Sequence, residues 1–251
     1  VSLFKQDAPS PARRNVLGID INAKHFAITV LSRNGKVLYQ TYLGKHIWLR
    51  RKQFIARRTL LQEREACKKL EKMKRDEQNY VQTNLGQLVR EIVRLATRFD
   101  ADIAIEDLQR FKPLNRRFNR IAMRIPFYAF RRILEQRCFD HSIPLSVIDK
   151  WHTSKWCSRC GAVRRGHDSG NYALFRCACG LVVNADRKAS YAIAVKSLLE
   201  RDPTQISRWR GPVNGLIRPH AAGEKRLVSG LSQPMESLQG AGGLQVLATE
   251  K

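Results

Sequence analysis

Acidic residues are scarce in this chain: 22 Asp and Glu stand against 46 Lys and Arg in 251 residues, a formal net charge of +24. That imbalance argues against a basic partner and implies a polyanionic one, because Lys and Arg that meet phosphates release condensed counterions. An anionic membrane surface is the other reading of the charge, and the motifs below favour nucleic acid. Long apolar runs are missing too, which excludes a bilayer-spanning helix as an expectation. No secretory signal opens the chain and no internal repeat is visible. With 43% hydrophobic residues there is enough for a real core, in one large domain or a domain with a small appendage. The first residue is Val rather than Met, so the sequence is expected to be either a fragment or the product of a start codon translated literally.

Local patterns give an element order. Residues 1–14 read as a lead-in. Apolar, β-branched runs predict strands over Asn15–Ile21, Phe26–Leu31 and Val37–Leu43, the last two joined through Asn34-Gly35. A basic helical insert follows over 46–98. It is read as one helix from about His46 to Asn79, with Phe54 and Leu61, and Leu60 and Cys67, seven apart. A second helix carries the stripe Leu85, Leu88, Val89, Ile92, Val93, Ala96. Strands over Asp102–Glu106 and Leu145–Ile148 flank a basic loop and a helix over about Pro126–His141. A cysteine module fills 151–181 and a last helix runs from about Asp186 to Glu200. The segment 202–251, rich in Gly, Ser, Pro and Gln, reads as mostly disordered. The expected fold class is α/β: one mixed sheet with helices on both faces, interrupted by a metal ribbon, with residues 15–150 and 182–201 forming the main domain.

Three acids stand out against the basic background. Asp20 ends the apolar run Val16-Leu17-Gly18-Ile19, Glu106 ends Ile103-Ala104-Ile105, and Asp186 opens the last helix. Side chains alternate along a strand, so Asp20 shares a face with Val16 and Gly18, and Glu106 with Ala104. If the first and fourth strands are neighbours, both acids converge at one sheet edge within reach of Asp186. Carboxylates buried this way are costly unless something positive meets them. Two-metal phosphodiester hydrolysis uses such a set of hard oxygen ligands, holding two Mg²⁺ (or Mn²⁺) ions about 3.5–4 Å apart. Each acid also has a plainer reading, as a turn residue for Asp20 or a helix cap for Asp186. Asp107 and Asp149 follow strands as loop residues, Asp149 with a possible supporting role behind the acids.

Of six cysteines, Cys157, Cys160, Cys177 and Cys179 form a C-x-x-C and a C-x-C pair, each followed by glycine (Gly161, Gly180). Two such knuckles suit a tetrahedral Cys₄ site for one structural Zn²⁺. Cys67 and Cys138 read as ordinary buried or half-buried thiols in helices. Arg116, Arg117, Arg120 and Arg124 follow Glu106 closely and are candidates for gripping a nucleic-acid strand, with Phe111 and Phe118 interleaved.

Gly18-Ile19-Asp20, Ile105-Glu106-Asp107-Leu108 and Asn184-Ala185-Asp186 with Ala189 resemble the three RuvC motifs of TnpB-type proteins from insertion sequences, relatives of the type V CRISPR effectors. Thr153-Ser154 ahead of Cys157-Ser158-Arg159-Cys160-Gly161 resembles the opening of that family's zinc ribbon. The resemblance implies an RNase H-like (RuvC) fold and Mg²⁺-dependent DNA cleavage by Asp20, Glu106 and Asp186. It also implies DNA and a guide RNA as partners, a link to a transposable element, and a prokaryotic cytoplasmic or nucleoid location. Two departures from the pattern stand out. Lys188 replaces the Asn usual in the third motif, which would either weaken the site or add a phosphate contact. Almost nothing precedes Asp20, where the family carries its region for guide RNA and target-adjacent motif. A truncated, non-enzymatic nucleic-acid-binding remnant and a stand-alone RuvC or RNase H-type nuclease without a guide are the rival readings.

Overall fold

A computed structural model describes residues 13–107, 126–163, 173–201, 213 and 215–217. The arginines Arg116, Arg117, Arg120 and Arg124, with Phe111 and Phe118, lie outside the described residues, as do nearly all of 1–14 and most of 202–251.

Five strands form one sheet: β1 (Asn15–Ile21), β2 (Phe26–Ser32), β3 (Val37–Leu43), β4 (Ala101–Glu106) and β5 (Leu145–Ile148), in the order β3-β2-β1-β4-β5. The first three are antiparallel neighbours, and the turn between β2 and β3 closes at Gly35, whose φ of 80° lies in the region open to glycine. β4 and β5 add in parallel beside β1. Parallel neighbours need crossovers, and helices supply them. α1 (Lys45–Glu63) and α2 (Cys67–Arg98) lead from β3 to β4, α3 (Phe127–Asp140) leads from β4 to β5, and a fourth helix, α4 (Ala185–Arg201), closes the described element order. A hairpin of β6 (Leu174–Arg176) and β7 (Val182–Asn184) stands apart from the main sheet.

The central strands are buried on both faces, which explains their unbroken apolar runs. On one face Leu17, Ile19, Ile103 and Ile105 pack beneath Leu85, Val89, Ile92 and Ala96 of α2 and Phe130 and Leu134 of α3. On the other, Val16, Leu31 and Ala104 meet Ala192, Ile193, Val195 and Leu198 of α4, with the fully buried Trp156 beside them. Each large side chain fully buried this way contributes about 1.5–3 kcal/mol. The helices therefore cover both faces, as the sequence predicts.

The basic insert divides differently from the sequence reading. α1 stops at Glu63, Glu65 takes a positive φ of 49°, and α2 then runs unbroken for 32 residues through the expected boundary near Asn79. No Gly or Pro marks the true break, and nothing between 80 and 84 breaks the longer helix. The sevenfold pairing of Leu60 with Cys67 is not a buried seam, because both are exposed. The hairpin closes through Glu77 of α2, which is nearly buried and pairs with Arg51 and Arg58 of α1. Cys138 is buried in the core, where loss of solvent pushes its thiol up to about 12.

Candidate metal centres

The parallel register of β1 and β4 pairs Gly18 with Ala104 and Ile19 with Ile105, so the next rung carries Asp20 and Glu106 on the face that α4 covers. Small residues one step back make that proximity to the helix possible. A methyl group on Gly18 would lie 2.4 Å from the Ser190 carbonyl oxygen and 2.7 Å from the Ala194 nitrogen. α4 thus rests directly on β1, and its first turn lies over the strand ends. A hydrogen bond between the hydroxyls of Thr29 and Ser190, 2.7 Å apart, fixes the same crossing.

Asp186 is not the helix cap. The Asn184 side chain caps α4 instead, accepting from the amides of Asp186 at 3.0 Å and Arg187 at 3.1 Å. That leaves the Asp186 carboxylate to other partners. Asn22 donates to Oδ1 at 2.7 Å, and His25 Nε2 lies 2.9 Å from Oδ2. Both come from the turn between β1 and β2, and His25 is held edge-on against Tyr42 at 4.6 Å.

Asp20 feels both of the other acids. Burial first, then Glu106 and Asp186, push the Asp20 carboxyl well above the ordinary carboxylate range, while Lys188 opposes the shift. Burial likewise raises Glu106, against the Thr153 hydroxyl and the positive charges of Lys196 and Lys150, and Asp149 adds to the rise. Among the described residues, the cysteines are the one group of three or more His, Cys, Asp or Glu whose donor atoms all lie within 4.8 Å of one another. The acids are therefore electrical neighbours rather than a closed ligand shell. Hard carboxylate oxygens gathered here, with Asp20 and Glu106 both desolvated, fit a divalent cation such as Mg²⁺.

The fourth acid on this face, Asp102, plays a different part. It is fully buried, and it pairs with Arg201 at the far end of α4 and accepts from the Arg13 amide at 3.3 Å. Sequence reasoning passed over it, since Asp102 begins a strand rather than ending one.

Lys188 is also placed otherwise than as a phosphate contact. It is 4% exposed; its Nζ donates to the carbonyls of Trp156 at 2.8 Å and Thr153 at 3.1 Å, and lies 4.3 Å from the centre of the Phe175 ring. Burial lowers its pKa to about 8, against the pull of Cys157, Asp20 and Glu106. Lys196, eight residues on, donates to the Asp149 carbonyl at 2.6 Å. Two buried ammonium groups of α4 thereby hold the segment leading into the cysteine module and keep Thr153 beside Glu106. Their burial could not be read from charge alone, because Lys is normally a surface residue.

The four cysteines gather as the spacing predicts. Sγ of Cys157 lies 3.7 Å from that of Cys179, and Sγ of Cys160 lies 3.5 Å from that of Cys177. A tetrahedron with metal–sulfur bonds of about 2.3 Å has edges of about 3.8 Å, so the set matches Zn²⁺ closely. None is in a disulfide. Gly161 and Gly180 carry positive φ angles of 74° and 83°, and their amides return to the carbonyls of Cys157 and Cys177, giving two matched knuckles. The Cys179 amide first of all lowers the Cys177 thiol to about 7 while burial raises Cys157, so within the cluster Cys177 is the readier thiolate.

Comparisons with known proteins agree with this arrangement. Residues 127–193 match the family model described as Cas12f1-like, TNB domain, a span that includes all four cysteines and Asp186. The TnpB-like protein MJ0751 of Methanocaldococcus jannaschii is 22% identical over 227 residues, covering 86% of this chain and 78% of that one. The cryo-EM structure of the Cas12f1-sgRNA-target DNA complex superposes with a TM-score of 0.57 at 18% identity over 76% of this chain. That alignment spans about half, 51%, of the solved chain. Thermus thermophilus RuvC in complex with a Holliday junction substrate matches with a TM-score of 0.43 at 12% identity, covering 76% of this chain and 98% of that one. The sheet and its covering helices share the fold of the Cas12f1 chain, and residues 127–193 are similar to the Cas12f1-like TNB domain.

Proposed function

We propose that this chain is the nuclease half of a TnpB-type, RNA-guided DNA endonuclease, in which Asp20, Glu106 and Asp186 hold two Mg²⁺ ions and the four cysteines hold one structural Zn²⁺. The observation that carries the reading is the β1–β4 register with α4 seated on Gly18, which sets Asp20 and Glu106 on neighbouring strand ends beneath the helix whose first turn bears Asp186. Among the described residues no Lys or Arg closes a salt bridge onto Asp20 or Glu106, which leaves room for a cation shared with phosphate.

The residues divide the work. Asp20 and Glu106 project from adjacent strand ends and set the floor of the site. Asp186 approaches from α4, its orientation fixed by Asn22 and His25. The Thr153 hydroxyl supports Glu106. Asp20, Glu106 and Asp186 would hold divalent ions there, which when bound would supply Lewis-acid activation of water and charge neutralisation at the departing oxygen. The TnpB-like relative and the Cas12f1 complex, which contains a single guide RNA and target DNA, support DNA as substrate and an element-derived RNA as guide.

Incubation of labelled single-stranded DNA with the chain and Mg²⁺ tests the activity. Asp20→Ala, Glu106→Ala and Asp186→Ala are each expected to lower the rate by more than the ~100-fold typical of losing a supporting residue at a metal site. Each variant is expected to keep a native circular dichroism spectrum. Undiminished cutting by any one of them removes that acid from the mechanism. Binding without cutting by the parent chain favours the non-enzymatic remnant.

A further inference from the structure

A cleft lies between the β1–β2 turn and the start of α1, beside the carboxylate site but not part of it. Asn22 and His25 line it, and these are the residues whose side chains meet Asp186. Its other functional walls are Lys24, Trp48 and Arg51, and no lining residue is acidic. Trp48 is half-buried, with Lys52 Nζ 4.9 Å and Lys24 Nζ 5.9 Å from the centre of its ring. Arg51 turns its Nε toward Glu77 at 3.5 Å, yet its Nη1 is buried with no hydrogen-bond partner among the described residues. A buried guanidinium N–H left unpaired is expensive, and an anion reaching into the cleft would satisfy it.

We propose that this cleft is a subsite for single-stranded nucleic acid, with one base stacked on Trp48 and the flanking phosphates held by Lys24 and Arg51, next to the Asp186 end of the carboxylate site. The chemistry selects a single strand: an aromatic face binds an unpaired base of any identity, and cations beside it follow the backbone. A duplex keeps its bases stacked on each other and offers no free face to the ring. The shared wall of Asn22 and His25 places the held nucleotide close to the acids. The inference rests on the nuclease reading for its purpose but not for its measurement.

The test uses the full chain carrying Asp20→Ala, so that DNA is not cut, with labelled oligothymidine and fluorescence anisotropy in chelator. Trp48→Ala is expected to weaken binding by about 5- to 150-fold, the range for loss of one stacked base. Trp48→Phe restores most of the affinity and loses the tryptophan quenching that the oligonucleotide causes in the parent. Lys24→Ala, at an exposed position, is expected to reduce the slope of log K against log salt by about 0.7, one phosphate on a single strand. If Trp48→Ala melts below the parent, Trp48→Phe and Lys24→Ala carry the test. Affinity within twofold of the parent for these variants, with an unchanged salt slope, overturns the proposal, as does an equal loss on duplex DNA. Null results here alongside Mg²⁺-dependent cutting by the parent reject the cleft alone. Losses here in a chain that never cuts reject the nuclease and leave the cleft standing.

Discussion

Asp20 carries the clearest consequence at the scale of single residues. Its carboxyl is raised by burial and by Glu106 and Asp186, so the folded chain holds that proton more tightly than the unfolded chain does. Stability from such a group is complete below the ordinary carboxylate range and is lost as pH rises through the folded-state value. Above the ordinary carboxylate range the metal-free protein is therefore destabilised by this buried acid. Asp20→Asn is expected to raise the melting temperature in chelator, by about 2–4 °C per kcal/mol relieved in a chain of this size, while abolishing cleavage. Differential scanning calorimetry with and without Mg²⁺ checks both the sign and its reversal by metal. A lower melting temperature for Asp20→Asn in chelator contradicts the assignment of strain to this acid. The convergence of Asp20 and Glu106 was legible in the sequence, because each ends an apolar run with a small residue, Gly18 or Ala104, one step behind it on the same face. The partners of Asp186 were not, because Asn22 and His25 are more than 160 positions away and no local pattern links them. Asn184 could have been recognised as the cap from its place before the helix, which would have left Asp186 without a local role.

Among the elements, α4 does the most to assemble the site. Asn184 caps it, Arg201 ties its last turn to Asp102, and its middle lies on β1 at Gly18. Gly18→Ala would push a methyl group into helix backbone at 2.4 Å, where no flexible side chain can yield. The expected cost is about 1–3 kcal/mol, read as a lower urea midpoint, with cleavage reduced further because Asp186 moves with the helix. A stable, fully active Gly18→Ala chain contradicts that dependence. The strands were legible from their apolar runs because both sheet faces are covered, and the expected bounds of β1, β3 and β5 agree with those observed. The break between α1 and α2 was not, since it depends on the non-glycine positive φ at Glu65 and on the tertiary pairing of Glu77 with two arginines.

For the molecule as a whole, the excess of cations implies that nucleic-acid affinity falls steeply with salt. With about five phosphates met on a single strand, log K against log salt is expected to slope at about −3 or steeper, measurable by anisotropy between low and physiological ionic strength. A slope near zero contradicts a polyanionic partner. Among the described residues no helix is long and apolar enough to cross a membrane. The formal charge nevertheless overstates the adhesive surface. Lys188 and Lys196 are walled into the joint between α4 and the cysteine module, and Arg201 faces Asp102. These cations act as mortar, holding the masonry of the fold together. An electrostatic map drawn from the sequence would count them as grip, whereas the ionic-strength titration will register only the charges left on the outer wall.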